Sequence, residues 1–287
     1  MLKALVSGSS GFIGSNLVRR LRAEGWEVVE MDLPFDVVKK DDWLRVLPGV
    51  DYIFHLAGYL DDYYVGGDAH FGEIIDTNVK SVALLFEVIV EQKLPIKKII
   101  AASSQSVYGD SMELEDECDL VTPISCYGAS KAAMENVLLT LGKIYEIPVV
   151  AMRYSIVLGA GQKFKDTDSR ILPAFISMAR QGEIVTHEDG MQERDFVHVD
   201  DVVDAHLFLT EKGSGVYNIG SGMATTVKEV ARYIADKFGA RVRHNGQKRI
   251  NTARRQVMSI EQINALGWNP KKTWRDAVED YLKSEGI

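Results

Sequence analysis

The sequence predicts an α/β fold, a doubly wound parallel sheet joined to a smaller α/β lobe at its C-terminal side. Three observations carry that prediction. Short, almost wholly apolar runs alternate with stretches of helical periodicity through the first half of the chain, and runs apolar on every residue mark strands buried on both faces. A turn with glycines spaced three apart, in "VSGSSGFIGSNL" (Val6 to Leu17), follows the first of these runs directly. Beyond Arg153 the alternation breaks, loops lengthen, and charges cluster over 163–170 and 241–255. Residues 1–152 are therefore expected to form the first domain, with segments near 194–220 returning to it, and 153–287 mainly the second lobe.

The elements follow in order. Lys3 to Ser7 is a strand, and Phe12 to Ala23 a helix with Ile13, Leu17, Val18 and Leu21 at helical spacing. Trp26 to Asp32 is the second strand, Asp41 to Leu47 a short helix, and Val50 to Gly58 the third strand. Val79 to Gln92 is a strongly apolar helix, Ile96 to Ser103 the fourth strand, and Tyr127 to Tyr145 a long helix followed by the strand "PVVAMRYS".

Composition sets outer bounds. The 287 residues are 46% hydrophobic and 26% charged, as in an ordinary globular protein. A net charge of −8 speaks against a nucleic-acid backbone or an anionic membrane as main partner. The two cysteines, Cys118 and Cys126, read as free thiols in a reducing compartment. "MLKALVSG" enters a strand at once, which leaves no room for a signal peptide, and no run of about 18 apolar residues suggests a membrane span. A cytoplasmic location is the resulting expectation. Six histidines show no metal-ligand spacing, so no metal is expected.

A strand, then Gly8, Gly11 and Gly14, then a helix suits a dinucleotide pyrophosphate. The glycines permit a tight turn and a close backbone approach, and the helix N-terminus offers free N–H groups to the phosphates. Asp32 closes the second strand about 20 residues further on, where a carboxylate accepts hydrogen bonds from ribose hydroxyls. It would repel a 2′-phosphate, and no Arg or Lys immediately follows it. NAD is thus expected over NADP, on a Rossmann-type sheet.

Tyr127 and Lys131 stand four apart in a helical segment and share one face. An ammonium near a phenol favours the phenolate, so Tyr127 is a candidate general base and acid. Ser103, Ser104 and Ser106 lie at the C-terminal end of the fourth strand, where ligands bind in such sheets. No Gly-x-Ser-x-Gly elbow points to a hydrolase.

Together these stretches resemble the extended short-chain dehydrogenases/reductases, the NAD-dependent sugar-nucleotide epimerase/dehydratase family, including its UDP-glucose 4-epimerase-like members. Further matches are "DYIFHLAG", "DTNVKSVALL", "SSQSVYGD", "YGASK", "RDFVHVDDVVDAH", "GVYNIGSG" and "LGWNPKKTW". The resemblance implies a catalytic Ser104, Tyr127 and Lys131, with Lys131 also on the nicotinamide ribose. It implies cofactor contacts from Phe12, Ile13, Leu56, Ala57, Gly58, Asn78, Ser103 and Tyr154, and adenine contacts from Asp36 and Val37. It further implies a homodimer through a four-helix interface of the helices at 79–92 and 127–145.

Family dehydratases place acidic residues after the catalytic Ser or Thr, and the decarboxylases a glutamate; here Gln105 and Ser106 stand there. Neither is a competent acid or base near neutrality. The expectation is 4-epimerisation of a nucleotide-diphosphate sugar through a transient 4-keto intermediate. Substrate contacts fall to Ser104, Gln105, Ser106, Ser155 and Arg194, with Arg249 as second phosphate ligand and Lys248 or Arg254 as alternatives. Ile156 replaces a customary asparagine and Met258 a common aspartate, and the C-terminal lobe is short. These departures keep a net NAD(H)-dependent reductase or dehydrogenase of a sugar or other small carbonyl compound as the alternative. A non-catalytic dinucleotide sensor is a third, against which the intact Tyr127 and Lys131 speak.

Overall fold

The computed structural model describes residues 1–60, 70–111, 113–163, 170–247 and 253–287. In chain order its elements are β1 (Lys3–Ser7), α1 (Phe12–Ala23), β2 (Glu27–Met31), α2 (Lys40–Val46), β3 (Tyr52–His55), α3 (Phe71–Ile75), α4 (Ser81–Glu91), β4 (Lys98–Ser104), α5 (Cys126–Ile144) and β5 (Val149–Tyr154). Then come β6 (Ile156–Leu158), α6 (Ile171–Arg180), β7 (Glu183–Thr186), β8 (Glu193–His198), α7 (Val199–Glu211), β9 (Gly215–Ile219), β10 (Ala224–Thr226), α8 (Val227–Phe238), β11 (Arg241–His244), β12 (Arg255–Gln256), α9 (Glu261–Ala265) and α10 (Trp274–Ser284).

Six parallel strands form the main sheet in the order β2-β1-β3-β4-β5-β9. Strands β4 and β5 are apolar almost throughout because both faces are covered. On one face Trp43 of α2, Val82 and Leu85 of α4 and Met134 and Leu138 of α5 close a core. On the other, Leu17 and Leu21 of α1 meet Val202 and Leu209 of α7. Helix α7 and strand β9 thus bring the second half of the chain back onto the first sheet. A separate core joins α6, α8 and α10 around Phe196 of β8. There β8 lies between β10 and β12 and also pairs with β6, while β7 pairs with β11.

The fourth helix differs from its expected form. A π-helical stretch, Asp76–Lys80, precedes α4 where the apolar pattern suggested unbroken helix from Val79. The reason is polar: Asn78 is buried and its side chain bonds the backbone of Tyr59 and the Ser130 hydroxyl. The wider turn is a way for a helix to seat such a residue. The third strand is also shorter than the apolar run, since Leu56 onward leaves the ladder to form the rim of the cleft.

One buried group works against stability. Glu115 is 1% exposed, and neither carboxylate oxygen has a hydrogen-bond partner. Burial, aided by Asp195, pushes its carboxyl up from 4.5 to about 8, while Arg194 and Arg255 pull the other way. The folded chain therefore holds this proton more tightly than the unfolded chain, and stability falls as pH rises from 4.5 toward about 8. Glu115→Gln should abolish that decline. Denaturant titrations across this range should show the variant gaining on the natural chain by about 1–3 kcal/mol at the alkaline end, and parallel curves would reject the assignment.

Candidate active site

The site gathers at the C-terminal edge of the main sheet. Strand β4 ends in Ser103 and Ser104, and a single 3-10 turn, Gln105–Val107, carries the chain away. Helix α5 starts beside it, capped by the Ser125 hydroxyl, which accepts the Gly128 N–H at 3.0 Å. A Cβ on Gly128 would lie 2.3 Å from the Ser106 carbonyl oxygen. Glycine is what lets the first turn of α5 press so closely on the end of β4.

That contact joins the three candidate catalytic residues. Ser104 lies near enough to the Tyr127 phenol to lower its pKa, and its hydroxyl donates to Ser106 Oγ at 3.1 Å. Lys131 Nζ lies 5.8 Å from the Tyr127 ring centroid and donates to the Ala102 carbonyl at 2.9 Å. Burial pushes the Tyr127 phenol up to about 12, and the nearby Ser104 hydroxyl opposes this. Burial brings the Lys131 ammonium down to about 8, and Glu135 works to raise it. With no ligand, Tyr127 thus keeps its proton at neutral pH, and Lys131 is charged at pH 7 but loses its proton under mildly alkaline conditions. A cation beside a phenol lowers its pKa, so the charged form of Lys131 is the one that favours phenolate.

The cofactor side fits a dinucleotide. Gly8 is in the left-handed region at φ +69°, and a Cβ on Gly14 would sit 2.1 Å from the Gly8 carbonyl oxygen. Helix α1 has Gly11 as its N-cap, no side-chain cap and no acidic residue in its first turn. Its leading N–H groups and dipole are thereby left for an anion, with Phe12 and Ile13 half-buried in that turn. Asp32 accepts the Ser10 N–H at 2.9 Å and the Leu33 N–H at 2.9 Å. Burial raises its carboxyl, but these hydrogen bonds and that of the Ser10 hydroxyl outweigh it and hold the group below the usual carboxylate range.

Leu56, Ala57 and Gly58 form the facing rim. Ser7 Oγ accepts the Ala57 N–H at 3.2 Å and lies 2.8 Å from His55 Nδ1. His55, whose other nitrogen lies 3.0 Å from Ser81 Oγ, is driven down to about 3 by burial, aided by the Lys131 charge. It stays neutral. A Cβ on Gly58 would come 3.0 Å from Lys131 Nζ, so the rim closes directly on the candidate lysine.

Several expected contacts take a different form. Asn78 has both amide hydrogens and its oxygen committed to Tyr59 and Ser130, so it shapes the rim rather than offering a donor to a ligand. Ser103 is 2% exposed and donates its hydroxyl to Glu135. Val37 is buried in the core and its carbonyl accepts the Trp43 indole N–H at 2.8 Å, which leaves only Asp36 of that pair at the surface. The Tyr154 hydroxyl lies 2.8 Å from His206 Nε2, so it is already partnered within the core.

On the substrate side, Gln105 and Ser155 are both 5% exposed, and Gln105 Oε1 and Ser155 Oγ have no hydrogen-bond partner. They extend from β4 and β5, which are paired so that Ser104 is opposite Tyr154. Ile156 lies on β6 and packs into the core of the second lobe. The Arg194 guanidinium is held by the Ala253 carbonyl at 2.8 Å and the Glu193 carbonyl at 2.7 Å. Arg249 and Lys248 lie outside the described residues. Arg254 pairs with Asp189 at 3.0 Å. Arg255 of β12, which sequence reasoning passed over, pairs with Glu193 on β8, the strand of Arg194. Its only sequence signal was its place in a cation-rich stretch. His198, Asp200 and Asp280 converge within 4.8 Å, but Lys272 Nζ bridges the two carboxylates at 2.8 and 2.9 Å and already balances their charge.

The family model described as the NAD dependent epimerase/dehydratase family matches residues 4–220. The chain belongs to this family. It is 29% identical, over 96% of its length and 95% of the other's, to a putative UDP-glucose 4-epimerase of Methanocaldococcus jannaschii. It is 26% identical to the human dTDP-D-glucose 4,6-dehydratase, over 98% of this chain and 89% of that one. The solved UDP-glucose 4-epimerase of Thermus thermophilus in complex with NAD superposes at a TM-score of 0.87 with 25% identity, covering 99% and 98% of the two chains. This epimerase/dehydratase-family chain is thus NAD-dependent, and its glycine loop and Asp32 are the residues whose geometry fits that cofactor. No helix among the described residues is long and apolar enough to cross a membrane.

Asp32→Ala is expected to weaken NAD binding about 10- to 100-fold, the equivalent of one or two charge-assisted hydrogen bonds. Calorimetric titration with NAD checks this, and an unchanged affinity would remove Asp32 from the cofactor site.

Proposed function

We propose that this protein is an NAD-dependent epimerase that inverts C4 of a nucleotide-diphosphate sugar through a transient 4-keto sugar. The observation that carries the reading is the absence of a free carboxylic acid on the turn that leaves Ser104. Gln105 and Ser106 stand there, and the carboxylate of Glu135 is committed to Arg153 and Ser103. Elimination of water from the sugar needs an acid and a base at neighbouring carbons. Epimerisation needs one proton acceptor that later returns the proton.

Bound NAD supplies a hydride acceptor that gives the same hydride back. In its phenolate form Tyr127 accepts the C4 hydroxyl proton as the C4 hydrogen leaves as hydride, which makes the carbonyl. Ser104 holds the sugar oxygen and the phenol in one hydrogen-bonded line. Lys131, in its charged form, stabilises the phenolate. After the keto sugar turns its other face, C4 regains the hydride, its oxygen regains the proton from Tyr127, and no net oxidation remains. Gln105 and Ser155, buried with unpaired oxygens, suit the sugar hydroxyls. Arg194 and Arg255, adjacent on β8 and β12, suit the diphosphate, since an arginine fork matches phosphate geometry. The UDP-sugar named for relatives such as the Methanocaldococcus jannaschii protein is the first candidate.

Helices α4 and α5 supply the face we assign to a homodimer. Val90 and Ile144 are 37% and 61% exposed there, and light scattering in solution tests the mass.

Ile156 favours a second reading, since it offers no hydrogen bond where a sugar oxygen would need one. A net reductase of a small carbonyl compound would consume NADH stoichiometrically. Incubation with UDP-, GDP-, dTDP- and CDP-hexoses should yield the C4 epimer with no steady change in NADH absorbance. Tyr127→Phe should slow that conversion by about 10²- to 10⁴-fold, the usual worth of general acid–base catalysis. No epimer from any of the four, or full activity without the phenol, would overturn the proposal.

A further inference from the structure

Helix α5 carries one more acidic residue on its buried face, one turn beyond Lys131. Glu135 is 4% exposed. Its Oε1 accepts Arg153 Nε at 2.9 Å and the Ser103 hydroxyl, and its Oε2 accepts Arg153 Nη2 at 2.7 Å. Arg153, on β5 and equally buried, passes the connection on: its Nη1 donates to the Tyr108 hydroxyl at 2.8 Å, and that hydroxyl donates to Asn218 Oδ1 at 2.7 Å. Asn218, on β9, in turn bonds the Glu115 and Ser259 carbonyls through its amide. Five buried polar side chains therefore run from the residue next to Ser104 to the far strand of the sheet.

We propose that Glu135 is a positioning residue of the reaction, a buried tether that locks the end of β4, with Ser104, to the helix face that presents Tyr127 and Lys131. The inference rests on the proposed reaction for its kinetic readout, though not for its structural one. A fold that needed only a filled interior would do as well with apolar side chains, because a buried ion pair is often no more stabilising than well-packed hydrophobic groups. A bidentate pair fixes orientation as well as separation. Here the same carboxylate oxygen that meets Arg153 Nε also takes the hydroxyl of Ser103, so a shift of α5 along β4 breaks two bonds at once.

Glu135 also acts on Lys131 by charge. The groups that interact with that ammonium are Tyr127 and Glu135 from its own helix and neutral His55 from β3, while Arg153 of β5 pairs with Glu135 behind it. Glu135 is the one that raises the Lys131 pKa against burial. If the charged lysine is the working form, activity falls as pH rises through its titration, and loss of Glu135 moves that fall to lower pH.

Removing Glu135 alone strands a buried guanidinium, so the test also pairs Glu135→Gln with Arg153→Met. In Glu135→Gln alone, which keeps the Arg153 charge, NMR titration of isotope-labelled lysine Nζ and Cε should show Lys131 shifted acidward by about one unit, and the alkaline limb of kcat should move with it; the double variant, which removes both charges, reads the loss of the tether. kcat should fall about tenfold while the sugar-nucleotide KM stays within about twofold. Glu135→Asp, which keeps the charge but is too short to bridge both partners, should lower kcat and leave the alkaline limb in place. A Glu135→Gln variant whose Lys131 titration is unmoved, or a double variant whose kcat matches the natural chain, overturns the proposal. If the natural chain epimerises nothing, the proposed reaction fails, while the lysine titration still decides the part played by Glu135.

Discussion

The close seating of α5 on the end of β4 is the constraint on which the site depends. A helix normally stands off a sheet by the length of its side chains. Here Gly128 removes one side chain at the first turn, and Ser130 and Lys131 turn polar atoms inward instead. Proximity of this kind costs desolvation of a phenol, an ammonium and a carboxylate within a few turns of one helix. The fold offsets part of that cost: the Ala102 carbonyl accepts from Lys131, Arg153 pairs with Glu135, and Ser104 lies near enough to Tyr127 to favour its phenolate. Buried polar groups with full partners rigidify a site, and the same groups half-satisfied would destabilise it.

The cofactor side obeys a complementary rule. Its backbone donors are left without side-chain partners at the N-terminus of α1, where a ligand is to supply the acceptor. Between the two sides, the chain of Ser7, His55 and Ser81 runs through the sheet and fixes the rim of Ala57 and Gly58 against Lys131. With His55 held neutral, this rim keeps its hydrogen bonds across the physiological pH range. The cleft thus has one wall that fits an anionic cofactor and another that holds the candidate catalytic residues.

The second half of the chain completes the site by returning to it. Strand β9 extends the main sheet and delivers Asn218 to the buried network, and β8 carries Arg194 to the edge where β12 brings Arg255. Asp195, next to Arg194 on β8, accepts the Ser221 and Gly222 N–H groups at 2.7 and 3.0 Å and so ties the loop after β9 to β8. The residues proposed to recognise the substrate therefore come from segments far apart in the chain, and Ile156 and Met258 are packed into cores.

What the sequence alone determined was whatever one element encodes. The glycine spacing and Asp32 are local to one β-α-β unit, and Tyr127 with Lys131 share a face by helical period alone; alternating apolar runs sufficed for the parallel sheet. Glu135 was legible only as a charge on an otherwise inward face, four residues past Lys131, with no hint of its partner. Contacts between distant residues were left to the tertiary structure. It committed Asn78 to Tyr59 and Ser130, turned the Ser103 hydroxyl inward, buried Val37, and set Arg255 beside Arg194 out of a stretch in which every cation looked alike. The physical reason is common to all four: a hydrogen bond or ion pair depends on what lies across the fold, and neither residue type nor spacing carries that information.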